Sequence, residues 1–177
     1  MMIDLDAFYI NPIQLNDAWN ICNFVIANED RLKRYFPDTL EQNSTPDLSK
    51  YFVGNKVKEF RLNEEYLFIL KVKASYEFVG LVYIKDLDWD KNQGEFAYCI
   101  GYPFEGKGIM QKVIKALSIY AFEHLNLQSL QIITHKSNIG SVMIAEKCNF
   151  KWQKTLENEF TPRGEQPLDM ELYELYK

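Results

Sequence analysis

Gly106 and Gly108 flank a lysine in the segment Phe104-Glu105-Gly106-Lys107-Gly108-Ile109-Met110, which opens directly into a stretch with helical periodicity. A helix N-terminus presents unpaired N–H groups and a partial positive charge. Glycines without side chains let an anion approach that backbone closely, and Lys107 adds a cation at the mouth. The chemistry this suits is capture of a phosphate. Two glycines before a helix also make an ordinary tight turn, so the loop alone leaves both readings open. It is neither a G-x-G-x-x-G dinucleotide fingerprint nor a Walker loop ending in Gly-Lys-Ser/Thr.

The surrounding pattern says what holds this turn. Glu95 to Tyr102 (EFAYCIGY) reads as a strand running into it. Lys107 to Leu125 reads as the helix leaving it, with Ile109, Val113, Ala116, Leu117 and Tyr120 on an apolar stripe. Lys107, Gln111, Lys115 and Ser118 fall on another face. Leu130 to Thr134 is the next strand, Ile139 to Cys148 a helix, Phe150 onward a strand, and Asp169 to Tyr176 closes the sheet. Strand, helix, strand, helix, strand suggests a crossover unit inside a mixed sheet.

Earlier in the chain, Phe8 to Ile13 reads as a first strand and Asn16 or Asp17 as the cap of a helix carrying Trp19, Ile21, Cys22, Phe24, Val25 and Ile26. Leu32 to Phe36 is a short segment, Glu41 to Pro46 a loop, and Asp47 to Phe60 a second helix. Tyr66 to Val72 and Phe78 to Ile84 are strands, with Asp86 to Gln93 as a polar turn, so the middle of the chain is an antiparallel meander.

The bulk numbers bound the function. A chain of 177 residues with 47 % hydrophobic content is expected to form a single domain over 1–177 with a substantial core. A net charge of -5 argues against general nucleic-acid binding and leaves room for a local basic pocket. It would also suit a basic substrate. Cys22, Cys99 and Cys148 are far apart, odd in number and in no metal spacing, so no metal site is expected and a reducing compartment is the plain reading. No signal segment and no run near the ~20 apolar residues of a membrane span is seen, so the expectation is a cytoplasmic protein without a membrane or nucleic-acid partner.

After the helix and strand come Asn138-Ile-Gly-Ser141 and then Ala145-Glu146-Lys147-Cys148-Asn149-Phe150. Here the chain resembles the GNAT family of N-acetyltransferases, nearest the branch of ribosomal-protein N-terminal acetyltransferases. The family loop Gln/Arg-x-x-Gly-x-Gly/Ala falls on Glu105, Gly108 and Met110. Its Asn-x-x-Ser/Ala, ending in Gly-Phe, falls on Asn138, Ser141, Asn149 and Phe150. Asn28 and Tyr35-Phe36-Pro37 resemble the same branch more loosely. The resemblance covers most of the chain, most strongly Glu95 to Phe150. Glu105 departs from Gln or Arg, and Met110 from Gly or Ala. Asn149 departs from Gly, a mild change because Asn tolerates the left-handed conformation at a helix end. Ala145 stands where many members carry a tyrosine thought to protonate the leaving thiolate.

The resemblance implies a mixed α/β (α+β), mostly antiparallel sheet flanked by helices, and direct attack of an amine on the thioester of acetyl-coenzyme A. It places the cofactor on Tyr98, Cys99, Ile100, Gly106, Lys107, Gly108, Ile109, Met110, Asn138 and Ser141. Glu95 is the candidate base and Ser141 the candidate acid, or a hydrogen-bond donor to the sulfur. A backbone N–H of Tyr98 to Ile100 would hold the oxyanion. Glu95 also reads as a surface residue at a strand start, Asn138 as a helix cap, and Lys107 as a solvated helix residue. His135 is an alternative base, and His124 suits the helix dipole. Tyr98 and Tyr102 read as strand packing, with lining of the acceptor pocket as the other reading of either, and Arg31 to Tyr35 with Asp38 read as the acceptor side. The acceptor is a small-molecule amine or a protein N-terminus, and pairing of two copies through a sheet edge is open. The alternative is a catalytically weak acyl-coenzyme A sensor or scaffold, which the alanine at 145 favours.

Overall fold

The computed structural model describes residues 2–177. Along the chain run β1 (Ile3–Leu5), β2 (Phe8–Pro12), α1 (Ala18–Ala27), α2 (Glu29–Tyr35), α3 (Pro37–Glu41), α4 (Pro46–Leu62), β3 (Tyr66–Val72), β4 (Phe78–Asp88) and β5 (Gln93–Ile100). Beyond them lie α5 (Ile109–His124), β6 (Ser129–Thr134), α6 (Ile139–Lys147), β7 (Lys151–Phe160) and β8 (Leu168–Tyr176). The sheet order is β1-β2-β3-β4-β5-β6-β8-β7. β1–β2, β2–β3, β6–β8 and β7–β8 pair antiparallel, whereas β5 and β6 pair parallel, as a helical crossover through α5 demands. The expected mixed, mostly antiparallel sheet is present.

The chain divides into two compact units. One runs to Tyr83 and takes in Tyr98–Lys107; the other comprises Ile84–Ala97 and Gly108–Lys177.

In the first unit, Tyr66 to Leu70 are five consecutive buried residues of β3. α4 sets Phe60 edge-on against Tyr66 and Phe68, with ring centroids 4.9 and 5.3 Å apart. α1 sets Phe24 4.8 Å from Phe78 of β4. α4 begins with Thr45 Oγ1 accepting from the Leu48 N–H at 3.3 Å and Pro46 in the first turn; it ends at Asn63 in the left-handed region. Several expectations shift here. The Asp17 side chain does not cap α1. Its carboxylate accepts from the Gln14 N–H (2.9 Å) and pairs with Lys71 Nζ (2.5 Å), a buried ion pair that leaves a stranded charge if either partner goes. Trp19 and Ile26 of α1 are exposed rather than core, because the buried stripe runs through Ile21, Cys22, Phe24 and Val25. The short Leu32 segment belongs to α2, and the expected loop at Glu41 starts on the last residue of α3. β1 is too short to show a period.

In the second unit, Val113, Ile114, Leu117 and Ala121 of α5 are fully buried. Ser118, expected on the polar face, is buried with them, and its hydroxyl donates to the Ile114 carbonyl at 2.8 Å. Phe96 of β5 meets Phe150 edge-on at 6.3 Å. The polar turn expected from Asp86 begins later, because β4 continues to Asp88. Asn149 comes after α6 with φ 68°, the left-handed conformation expected for that exchange. β7 is exposed along most of its length and pairs with β8 through shifted registers between Trp152 and Lys154 and between Leu156 and Phe160.

The three cysteines are free thiols and buried. Burial pushes Cys99 and Cys148 up to about 11. Among the described residues, no helix is long and apolar enough to cross a membrane, and no cluster of three His, Cys, Asp or Glu stands ready for a metal ion.

Candidate functional site

β5 carries residues of interest at both ends. Its pairing with β6 covers Gln93 to Phe96, and its alternation of buried residues slips by one place between Ala97 and Tyr98. A slip in a period-two pattern marks an irregularity in the strand, which re-aims the residues beyond it. Past Ile100, the Gly101 N–H donates to the Val79 carbonyl at 2.8 Å, and Tyr102–Phe104 make one 3-10 turn. Tyr102 is therefore not a strand packing residue; it is 52 % exposed.

The glycine turn comes next. Gly106 and Gly108 have φ 68° and 69°, a backbone conformation that strains any residue with a Cβ. At both positions an added Cβ would meet nothing within 4 Å. Backbone conformation, not crowding, demands glycine here, and the space before the backbone is open. Gly108 is also the N-cap of the 16-residue α5 and has no side chain to satisfy its first N–H groups. Open space and unpaired donors at a helix N-terminus fit a diphosphate. Lys107 is exposed with its ammonium 5.8 Å from the Phe104 ring centroid. The Ile109 and Met110 side chains are buried, which leaves only the backbone at these positions to meet a ligand.

Two features of the first unit gave no local signal of a place beside the glycine turn, although Arg31 was expected on the acceptor side. Arg31 of α2 donates from Nη1 to the Ile100 carbonyl at 2.8 Å, forms an ion pair through Nη2 with Glu105, and lies with its guanidinium carbon 4.5 Å from the Tyr102 ring centroid. Gly80 of β4 is the second: a Cβ there would stand 2.5 Å from the Cys99 carbonyl oxygen and 3.2 Å from Ile100 Cα. Only glycine lets β4 lie this close to the end of β5.

In the second unit, Glu95 is largely buried and pairs with Lys85 Nζ at 3.1 Å; Lys85 also pairs with Asp86. Burial raises the Glu95 carboxyl above the usual carboxylate range, and the Lys85 ammonium offsets only part of that. Burial alone would lower Lys85, but Glu95 and Asp86 outweigh it and the ammonium is held more firmly than usual. A desolvated carboxylate with a raised affinity for protons is suited to base work, so Glu95 is more than a surface residue.

Asn138 caps α6: its Oδ1 accepts from the Ser141 N–H at 3.3 Å. Ser141 is half-buried in the first turn, and Ala145 is fully buried. His135 Nδ1 accepts from the Ser137 N–H at 3.3 Å and meets Ser137 Oγ at 2.7 Å. Its basic nitrogen is thus engaged locally, which counts against a role as base. His124 stands in the last turn of α5 with its ring 5.2 Å from Tyr120, a structural position.

A profile of the acetyltransferase (GNAT) domain matches residues 8–151. The chain belongs to the GNAT acetyltransferase family. It is accordingly an acyltransferase that uses acetyl-coenzyme A as co-substrate and an amine as acceptor. YdaF of Bacillus subtilis (strain 168), whose name places it among ribosomal N-acetyltransferases, is 25 % identical over 150 residues, 80 % of this chain and 76 % of that protein. Spermidine N(1)-acetyltransferase of Escherichia coli (strain K12) is 30 % identical over 94 residues, 53 % of this chain and 50 % of that one. Among solved structures, the ribosomal-protein-S5-alanine acetyltransferase of Vibrio fischeri superposes with a TM-score of 0.92 at 18 % identity, over 99 % of this chain and 96 % of that one. This last likeness concerns the fold alone.

Proposed function

We propose that this GNAT enzyme holds the pyrophosphate of acetyl-coenzyme A on the backbone of Gly106 to Met110 and acetylates a primary amine with Glu95 as base. The observation that carries the reading is the glycine turn: left-handed at two positions, open in front, and continuous with an uncapped helix N-terminus. Lys107 adds charge there. Backbone groups of Tyr98, Cys99 and Ile100 hold the pantetheine arm and the oxyanion. Asn138 presents the start of α6, and Ser141 donates to the departing sulfur.

The reaction balances without further groups. The amine nitrogen attacks the thioester carbonyl carbon, a C–N bond forms and the C–S bond breaks. Glu95 takes one proton from the ammonium, directly or through water, to free the attacking lone pair, and the second proton lost by the nitrogen as the amide forms goes to the departing thiolate, giving coenzyme A thiol. Proximity supplies much of the acceleration. The acceptor class follows the relatives: a ribosomal amine, as the name of YdaF indicates, for which a protein N-terminus is the reading adopted, or a polyamine such as spermidine. The whole chain acts as one acetyltransferase domain in the cytoplasm. Two copies would pair through an outer strand, β1 or β7.

Calorimetric titration with acetyl-coenzyme A tests the cofactor assignment, with micromolar binding of about -8 kcal/mol expected. A folded protein that does not bind removes the glycine turn from the mechanism. Binding followed by turnover of spermidine or of an N-terminal peptide identifies the acceptor. Binding without turnover over a broad amine panel would instead favour an acyl-coenzyme A sensor, the reading that Ala145 supports.

A further inference from the structure

Glu105 stands at the first position of the loop proposed to hold a pyrophosphate, where a carboxylate should repel the ligand. The structure shows what answers it. Arg31, contributed by α2 from 74 positions earlier in the chain, pairs with Glu105, and its other guanidinium nitrogen is fixed on the Ile100 carbonyl. The Tyr102 ring beneath completes the seat. Arg31 Nη1, Nη2 and the guanidinium face are thus all engaged by the segment from Ile100 to Glu105. The side chains of Arg31 and Glu105 are 22 % and 45 % exposed. A pair this open contributes little to stability. Its effect lies in local charge. Glu105 and Lys107 alone cancel, -1 and +1; with Arg31 the loop carries +1.

We infer that Arg31 is a positioning residue for acetyl-coenzyme A binding, acting as the counter-charge that lets a loop containing Glu105 accept the pyrophosphate. The inference rests on the loop assignment above and adds to it a partner from a different part of the chain. It predicts that the penalty for losing Arg31 comes from the exposed carboxylate, so that removing the carboxylate as well abolishes the penalty. A purely architectural arginine would show no such rescue.

The test uses the full chain in four forms: wild type, R31Q, E105Q and R31Q/E105Q. Dissociation constants are measured for acetyl-coenzyme A by calorimetry and for S-acetyl-pantetheine, which lacks the pyrophosphate, by displacement. R31Q should weaken acetyl-coenzyme A about tenfold at low ionic strength, less at high salt, and leave S-acetyl-pantetheine unchanged. The double variant should return to within about threefold of wild type. E105Q alone should bind acetyl-coenzyme A at least as tightly as wild type, and this arm stands even if R31Q does not fold. Three results with the Arg31 variants would overturn the inference: R31Q binding as wild type does, no recovery in the double variant, or equal weakening of both ligands. Weaker acetyl-coenzyme A binding by E105Q would overturn it too. Failure of the wild type to bind acetyl-coenzyme A would instead strike the loop assignment itself.

Discussion

The two ends of β5 solve different problems with the same kinds of side chain. At its start, Glu95 is paired with Lys85 ten positions earlier in the chain, in surroundings dry enough to raise the carboxyl. At its far end the strand hands over to a glycine turn with its backbone open to solvent, and the carboxylate of the charged pair there, Glu105 with Arg31, is far more exposed than Glu95, 45 % against 16 %. On the proposed reading, burial suits one end to proton transfer, and conformation and charge balance suit the other to holding an anion. Variants at the first should change turnover without changing cofactor affinity, and variants at the second should do the reverse.

The largest effect is expected for Glu95→Gln, which removes the base but keeps the shape. It should lower kcat on the order of 100-fold with the acetyl-coenzyme A dissociation constant unchanged. A fall in affinity instead would erase the contrast between the two ends. Gly108→Asp attacks the other end with charge and a Cβ at φ 69°. Affinity for acetyl-coenzyme A should drop about 30-fold, with loss of about 1 kcal/mol of stability from backbone strain. Normal affinity in the folded variant would show that the turn holds nothing. Ser141→Ala should reduce kcat several-fold, roughly fivefold, with affinity intact, since one hydrogen bond to the sulfur is at stake. Equal turnover in the two proteins would leave Ser141 only a backbone role in the α6 cap.

The smallest effect sharpens the comparison through pH. Glu95 works as a base when ionised, and its proton affinity is raised by burial, so activity should climb with pH through a midpoint above the ordinary carboxylate range. Lys85 favours the ionised form. Lys85→Met should therefore move that midpoint to still higher pH, most visibly on the acid side of the kcat profile. A shift to lower pH would mean that Glu95 is not the group titrating.

Much of this was legible in the sequence because it is local. Tyr66 to Val72 is strand to the residue, since five apolar neighbours in a row have nowhere to go but a covered strand. The long amphipathic helix starts two residues later than its pattern suggested, because Gly108 caps it rather than joining it. Asn138 shows itself as a cap by type and spacing. What was not legible depends on distant partners or on backbone approach. Ser118 looks polar, but a bond to its own helix lets it enter the core. Asp17 looks like a cap until Lys71 arrives on β3. Gly80 matters for what is missing, and no pattern in its own strand shows that a carbonyl from β5 lies 2.5 Å away from its absent Cβ. Arg31 sits in an ordinary charged run, and only folding discloses Glu105 as its partner.

The burial of the cysteines has a practical consequence for watching the enzyme at work. Each acetyl transfer liberates one small, solvent-borne thiol, which a chromogenic disulfide reagent captures quickly. Cys22, Cys99 and Cys148 are shielded, and a thiol titrating near 11, as Cys99 and Cys148 do, is ionised to only about one part in ten thousand at neutral pH. The polypeptide should therefore remain colourless toward the reagent while its product is counted in real time, so that any amine can be screened as acceptor without a radioactive label or a chromatographic step.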